Sequence, residues 1–271
     1  MAAHRLGMNE IEPPPQFSYK NGKVAMDARE FDETARLCFD ELGMSVSYTP
    51  SFFYMFGWAY PPRQLFGLEP FTAEWNSALQ QACRLFDVHL RDKGWHERFI
   101  YYISDEPHFQ HPFVVEQMKK LCALVHEAAP GLPIYSSTWR HCPAWDGSLD
   151  LWGVGQYGCF PVAEMERQRQ AGRRLWFTCD GQMATDTPYL ATERLLPYYC
   201  RKYGVSGFEF WGLTWWTYDP WQVGWHTFIR QSDEGKVHYS EILPDPERLP
   251  AARRAVNAAL VQLLRENASS P

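Results

Sequence analysis

The stretch Phe99-Ile100-Tyr101-Tyr102-Ile103-Ser104-Asp105-Glu106-Pro107-His108 decides how this chain is read. Phe99–Ser104 is rich in β-branched and aromatic residues and predicts a strand. It runs straight into two adjacent carboxylates, and Pro107 then ends the ladder and orients the loop. Outward from this strand, short apolar runs alternate with longer segments of helical periodicity. On the N-terminal side, Thr72 caps a helix that runs to about Lys93 and closes at Gly94. Before it come an aromatic loop, Pro50 to Pro70, a strand over Met44–Thr49, a helix over Asp27–Leu42 ending at Gly43, and a weak first strand at His4–Met8. Residues 1–26 otherwise read as an irregular start.

On the C-terminal side, a helix over Pro112–Ala129 is stopped by Pro130-Gly131. Strands follow at Pro133–Thr138, Leu149–Gly155, Leu175–Cys179 and Gly207–Trp215. Helices are expected at Val162–Gly172 and at Pro188–Tyr203, closed by Gly204. Residues 240–271 read as a turn and a final helix over Ala251–Arg265. Regular β–α alternation means a parallel sheet with right-handed crossovers. A doubly wound sheet and a (β/α)8 barrel both fit. Polar and aromatic residues follow the C-terminal ends of many strands rather than one switch point, which favours the barrel. A single barrel domain over 1–271 is expected, and its seven strands are one short of closure: either one strand escapes the pattern or, the preferred reading, the first β–α unit is lacking.

Composition narrows the function. The chain has 271 residues and a net charge of −6, which disfavours a nucleic-acid binder. No run approaches the roughly 18 apolar residues of a membrane span, and no signal peptide is visible, so a cytoplasmic location is the default. The seven cysteines contain no C-x-x-C pair, and the nine histidines form no convincing ligand pair, so neither a metal nor another cofactor is expected. No P-loop, H-E-x-x-H or G-x-S-x-G is present. Twelve Trp, 14 Tyr and 17 Phe are the compositional outlier. A Trp-rich core and platforms that stack on sugars explain that excess about equally well.

The carboxylate pair supplies the chemistry. Two charges in close contact push their pKa values apart, so one group can stay protonated while the other is ionised. Ordinary glycosidases place their two carboxyl groups on opposite faces of a sugar, and neighbours on one strand end cannot easily straddle a ring. They suit the substrate-assisted alternative. Glu106 would protonate the glycosidic oxygen, while Asp105 steadies a 2-acetamido group whose own carbonyl oxygen attacks the anomeric carbon. Candidate sugar contacts at later strand ends are Trp139, Gln156, Tyr157, Asp180, Trp211, Trp215 and Tyr218. Tyr157 would donate to the acetamide oxygen, and Trp211 or Trp215 would floor the ring. Two alternatives stand beside this one. Glu209 could serve as nucleophile with Glu106 as acid/base, or the chain could be a non-catalytic carbohydrate-binding barrel.

Four segments carry a family resemblance: Ile100 to His108, Leu149-Asp150-Leu151-Trp152, Leu175-Trp176-Phe177-Thr178-Cys179, and Gly204-Val205-Ser206-Gly207-Phe208-Glu209-Phe210-Trp211. Together they resemble the catalytic domain of glycoside hydrolase family 123. The resemblance implies a (β/α)8 barrel and a retaining β-N-acetylgalactosaminidase. It implies Asp105 as acetamide stabiliser, Glu106 as acid/base, and the 2-acetamido sugar of a glycan or glycolipid as substrate. The tail Asp233-Glu234-Gly235-Lys236-Val237-His238-Tyr239 departs from the Arg-x-Gly-x-Glu-Asp-type segment such a family carries there. Sequence alone assigns no oligomeric state.

Overall fold

A computed structural model describes residues 7–138, 140–155, 160–179 and 190–210. Its first elements are β1 (Gln16–Lys20) and β2 (Lys23–Asp27), an antiparallel hairpin with Lys20 opposite Lys23. The two loop residues, Asn21 and Gly22, both have positive φ, 52° and 76°. This is the mirror-image turn that matches strand twist, and Asn-Gly is its strongest sequence signal. The irregular start expected over 1–26 is therefore corrected: an ordered hairpin occupies Gln16–Asp27. Phe17 stacks on Phe52 at 4.2 Å and Tyr19 on Phe66 at 5.4 Å, so the hairpin packs on the aromatic loop. Gly7 and Met8 carry no strand, and the rest of the His4–Met8 segment lies outside the described residues.

Helix α1 (Arg29–Arg36) passes into a π-helical turn over Leu37–Glu41 before Gly43 at φ +65°. The wider turn lets two neighbours, Cys38 and Phe39, both face the core. The parallel sheet begins with β3 (Ser47–Tyr48), which pairs with the start of β5 (Phe99–Asp105). A short detour follows, and β4 (Phe56–Gly57) then pairs with the end of β5. Pro50 ends β3 early, so the Met44–Thr49 strand is shorter than expected. The order continues with β6 (Ile134–Thr138), β7 (Leu151–Gly155), β8 (Arg174–Cys179) and β9 (Gly207–Phe210). Residues beyond 210, including the remainder of the Gly207–Trp215 strand and the Ala251–Arg265 helix, lie outside the described residues.

Helices α2 (Ala73–Lys93), α3 (Pro112–Ala128), α4 (Val162–Gln170) and α5 (Leu190–Tyr203) connect these strands. The ends of α2 follow the sequence signals. Thr72 accepts from the Trp75 N–H, and Gly94 at φ +74° returns its N–H to Leu90 and Arg91. Trp75, Ala78, Leu79, Ala82, Phe86 and Leu90 form the buried stripe of α2. With the buried faces of α3 and of the sheet they make the main core.

The sheet is curled. Tyr48 on β3 and Trp176 on β8 lie four strands apart, about 19 Å in a flat sheet. Their ring centroids are 6.3 Å apart. The concave face carries a second, smaller core of Tyr48, Ile100, Tyr135 and Leu151, with Tyr102 and Trp176 against it. Gly153 on β7 makes that packing possible. A Cβ there would lie 2.5 Å from the Tyr135 hydroxyl and 2.8 Å from the Ser137 Cα. Gly153-Val154-Gly155-Gln156-Tyr157-Gly158 has G-x-G-x-x-G spacing. Its first glycine nevertheless sits within a strand and clears a phenol. The compositional excess divides in the same way. Trp75, Trp95, Trp145 and Trp152 are core residues, and the first three donate their indole N–H groups to Arg63, Asp40 and Val115. Cys38, Cys83, Cys122 and Cys142 are buried free thiols.

Candidate active site

One extra residue builds the site. Tyr102 sits opposite Tyr135, but Ser104 sits opposite Ser136, so Ile103 is unmatched and β5 bulges. Without the bulge, residues 102 and 105 would face opposite sides of the sheet. With it, both face the concave side. Asp105 Oδ1 accepts hydrogen bonds from the Tyr102 hydroxyl at 2.8 Å and the Ser137 hydroxyl at 2.5 Å. Two donors on one carboxylate oxygen hold the aspartate in a single orientation.

Glu106 follows in the left-handed region at φ +43°. Glutamate is rarely found there, and the strain costs about 1–3 kcal/mol. The turn is over-determined by its neighbours. The Glu106 N–H lies 3.1 Å from the Ser137 carbonyl and 3.3 Å from its hydroxyl. The Trp58 N–H donates to the Asp105 carbonyl at 2.9 Å, and the His108 N–H donates to the Trp58 carbonyl at 2.9 Å. The indole N–H of Trp58 reaches Glu106 Oε2 at 3.1 Å. Trp58 also has positive φ, +49°. Burial pushes the Tyr54 hydroxyl up to about 12, and the negative charges of Asp105 and Glu106 add to this, so Tyr54 stays neutral beside the pair.

A third carboxyl group lies deeper. Glu209 on β9 accepts from the Tyr135 hydroxyl, across three strands of the curled sheet. Tyr135 is two residues below Ser137 on β6, so this contact lies beneath the level of Asp105. Tyr48, Tyr102 and Tyr135 stack between the two levels, with centroids 4.7 to 5.4 Å apart. Burial raises Glu209 to about 6. The neighbouring phenols pull it down and the Asp105 charge pushes it up.

Of the expected site residues, Asp105 and Glu106 are placed together at the end of β5. Trp139, Gln156, Tyr157, Asp180, Trp211, Trp215 and Tyr218 lie outside the described residues. Glu209 is placed below the pair. Sequence reasoning missed Trp58, whose signal was an aromatic residue directly after a short apolar strand. It also missed that Tyr102 and Ser137 hold Asp105, a role that depends on the bulge. A separate cluster of His141, Asp146 and Glu164 has ligand atoms within 4.8 Å of one another. Arg167 donates to both carboxylates. Burial would raise Asp146, but hydrogen bonds from Arg167, His141 and Gln168 outweigh it and hold the group at about 2. The cluster is thus a salt-bridge network with its own resident cation. Among the described residues no helix is long and apolar enough to cross a membrane.

Comparison with known proteins extends the picture. The family model "Glycoside hydrolase 123, catalytic domain" matches residues 16–235. Among solved structures, a family 123 glycoside hydrolase from Clostridium perfringens, described in a study of glycolipid glycan hydrolysis, aligns with a TM-score of 0.52 at 13% identity. The match covers 75% of this chain and 41% of that one. An endoglucanase aligns at TM-score 0.41 and 14% identity over 76% and 77% of the two chains. A glycosyl hydrolase family 2 member from Bacteroides cellulosilyticus aligns at 0.37 and 15%, over 64% and 21%. No curated protein matches.

Proposed function

Because this chain belongs to glycoside hydrolase family 123 and is therefore a glycoside hydrolase acting on carbohydrate, we propose that it removes 2-acetamido-2-deoxy-β-hexosides with retention, by substrate-assisted catalysis. The observation that carries the proposal is the divided environment of two consecutive carboxylates. Asp105 is fixed by two hydroxyl donors and faces the concave side, while Glu106 turns away on a left-handed residue and meets an indole N–H. A fixed Asp105 is suited to accept the acetamide N–H and to balance positive charge. Glu106 is suited to exchange a proton.

In the first step the acetamide carbonyl oxygen bonds to the anomeric carbon as the glycosidic bond breaks. The Glu106 proton passes to the departing oxygen. An oxazolinium ion forms, its positive charge balanced by Asp105, which accepts its N–H. In the second step water attacks the anomeric carbon, Glu106 takes its proton, and the carbonyl oxygen leaves. A galactosamine-type sugar is favoured by the family resemblance. The alternative with Glu209 as nucleophile is less well supported, because Glu209 bonds Tyr135 beneath the pair and does not flank a ring held above it.

The described strands, with residues 7–9 lying against β3 through the Asn9 carbonyl and the Tyr48 N–H, support seven consecutive positions of a (β/α)8-type barrel. We take the chain as one such domain over 1–271. The test is turnover of 4-nitrophenyl 2-acetamido-β-galactoside and β-glucoside, with inhibition by a thiazoline mimic of the oxazoline. Glu106→Gln is expected to abolish activity and Asp105→Asn to reduce it strongly. Folded protein inactive on both substrates, or turnover of 2-hydroxy sugars untouched by thiazoline, overturns the proposal.

A further inference from the structure

The two carboxylates look toward opposite neighbours of β5. Asp105 is held by Ser137 on β6, on one side. Glu106 is held by Trp58, which follows β4 on the other side. A sugar whose acetamide rests on Asp105 sits on the β6 side. The bond that Glu106 protonates then points toward β4, and whatever is attached beyond it lies over Trp58. That surface is built for contact. Trp58 is 47% exposed and Tyr60 60% exposed, although both belong to a pinned loop. Their rings are 6.0 Å apart at 57°. The Tyr60 N–H donates to the Gly57 carbonyl at 3.0 Å, and Gln117 of α3 donates to the Tyr60 carbonyl at 2.9 Å. An exposed aromatic pair on a fixed backbone offers stacking area with little ordering cost.

We infer that Trp58 and Tyr60 form the leaving-group subsite, a platform for a sugar ring on the departing side of the scissile bond. The inference rests on the substrate-assisted reading and adds the direction in which the substrate lies. Hydrolysis of a disaccharide, the 2-acetamido sugar β-linked to a hexose, is to be compared with hydrolysis of the corresponding 2-acetamido-β-glycosyl fluoride, which has no departing ring. Tyr60→Ala is expected to lower the disaccharide-to-fluoride ratio of kcat/KM by about tenfold, mainly through KM for the disaccharide. Tyr60→Phe, which keeps the ring, is expected to restore most of that ratio. An unchanged ratio in Tyr60→Ala overturns the inference, whether both substrates suffer equally or neither does. Wild-type protein inactive on both substrates overturns the underlying reading, and this inference with it.

Discussion

Replacing Glu209 by Gln gives a direct test of the deep carboxyl group. Gln keeps the size of the side chain and an oxygen for the Tyr135 hydroxyl, so the main change is the loss of an ionisable group. In the folded protein burial raises Glu209 from 4.5 to about 6, opposed by the phenols and assisted by Asp105. Below pH 4.5 the group is neutral in folded and unfolded chains alike and costs nothing. Between 4.5 and about 6 the unfolded chain ionises while the folded one keeps its proton, so stability falls as pH rises. Above that window both forms are ionised and the deficit is constant. A carboxyl that moves by this much is worth at most about 2 kcal/mol. The stability of Glu209→Gln relative to wild type should therefore climb by up to about 2 kcal/mol between pH 4.5 and 7.5. Urea unfolding followed by tryptophan fluorescence at a series of pH values measures it. A difference that stays flat, or that falls with pH, refutes the reasoning. Asp105→Asn removes the like charge, so in that background the rise should shrink and shift to lower pH.

Three further outcomes follow from contacts described above. Tyr102→Phe and Ser137→Ala each remove one donor from Asp105 and should lower kcat/KM by about tenfold or more, as hydrogen bonds to charged groups are worth about 1.5–3 kcal/mol; changes within twofold for both would show that Asp105 needs no such support. Thr72→Ala deletes the cap that receives the Trp75 N–H and should cost about 1 kcal/mol in chemical unfolding, with activity per folded molecule retained. Gly153→Ala sets a methyl group against the Tyr135 hydroxyl and the β6 backbone, so a loss of about 1–3 kcal/mol and a weaker pH step at Glu209 are expected. A fully stable Gly153→Ala protein would contradict the packing.

The elements most legible in the sequence were those whose signals are local. Thr72 and Gly94 mark the ends of α2 within one residue, because a cap and a left-handed glycine act on their own turn. The β5 strand and its terminal carboxylates were legible for the same reason. The Asn21-Gly22 hairpin is equally local, but its strands are short and lie outside the β–α alternation, so the dominant pattern does not include it. Trp58 was hidden in a loop that only pairing with β5 shows to contain a strand. Tyr102 was beyond reach for a different reason. Strict alternation places it on the face opposite Asp105, and only the partner strand reveals the unmatched Ile103. The link between Tyr135 and Glu209 spans 74 residues and depends on sheet curvature, which no local pattern encodes.

The unmatched Ile103 also works as a change of phase. Upstream of it, Phe99 and Tyr101 keep step with the helices that cover the sheet, and a substitution at either is judged by how it fills the core. Downstream of it, Asp105 keeps step with whatever occupies the mouth of the fold. A single residue thus separates two sets of constraints within one seven-residue strand. Packing at Phe99 and Tyr101 can drift without turning Asp105 to the wrong side, provided the count between them is kept. The count itself is what cannot drift: deleting one residue between Tyr102 and Asp105 would leave both carboxylates in the sequence and reverse which way each one looks.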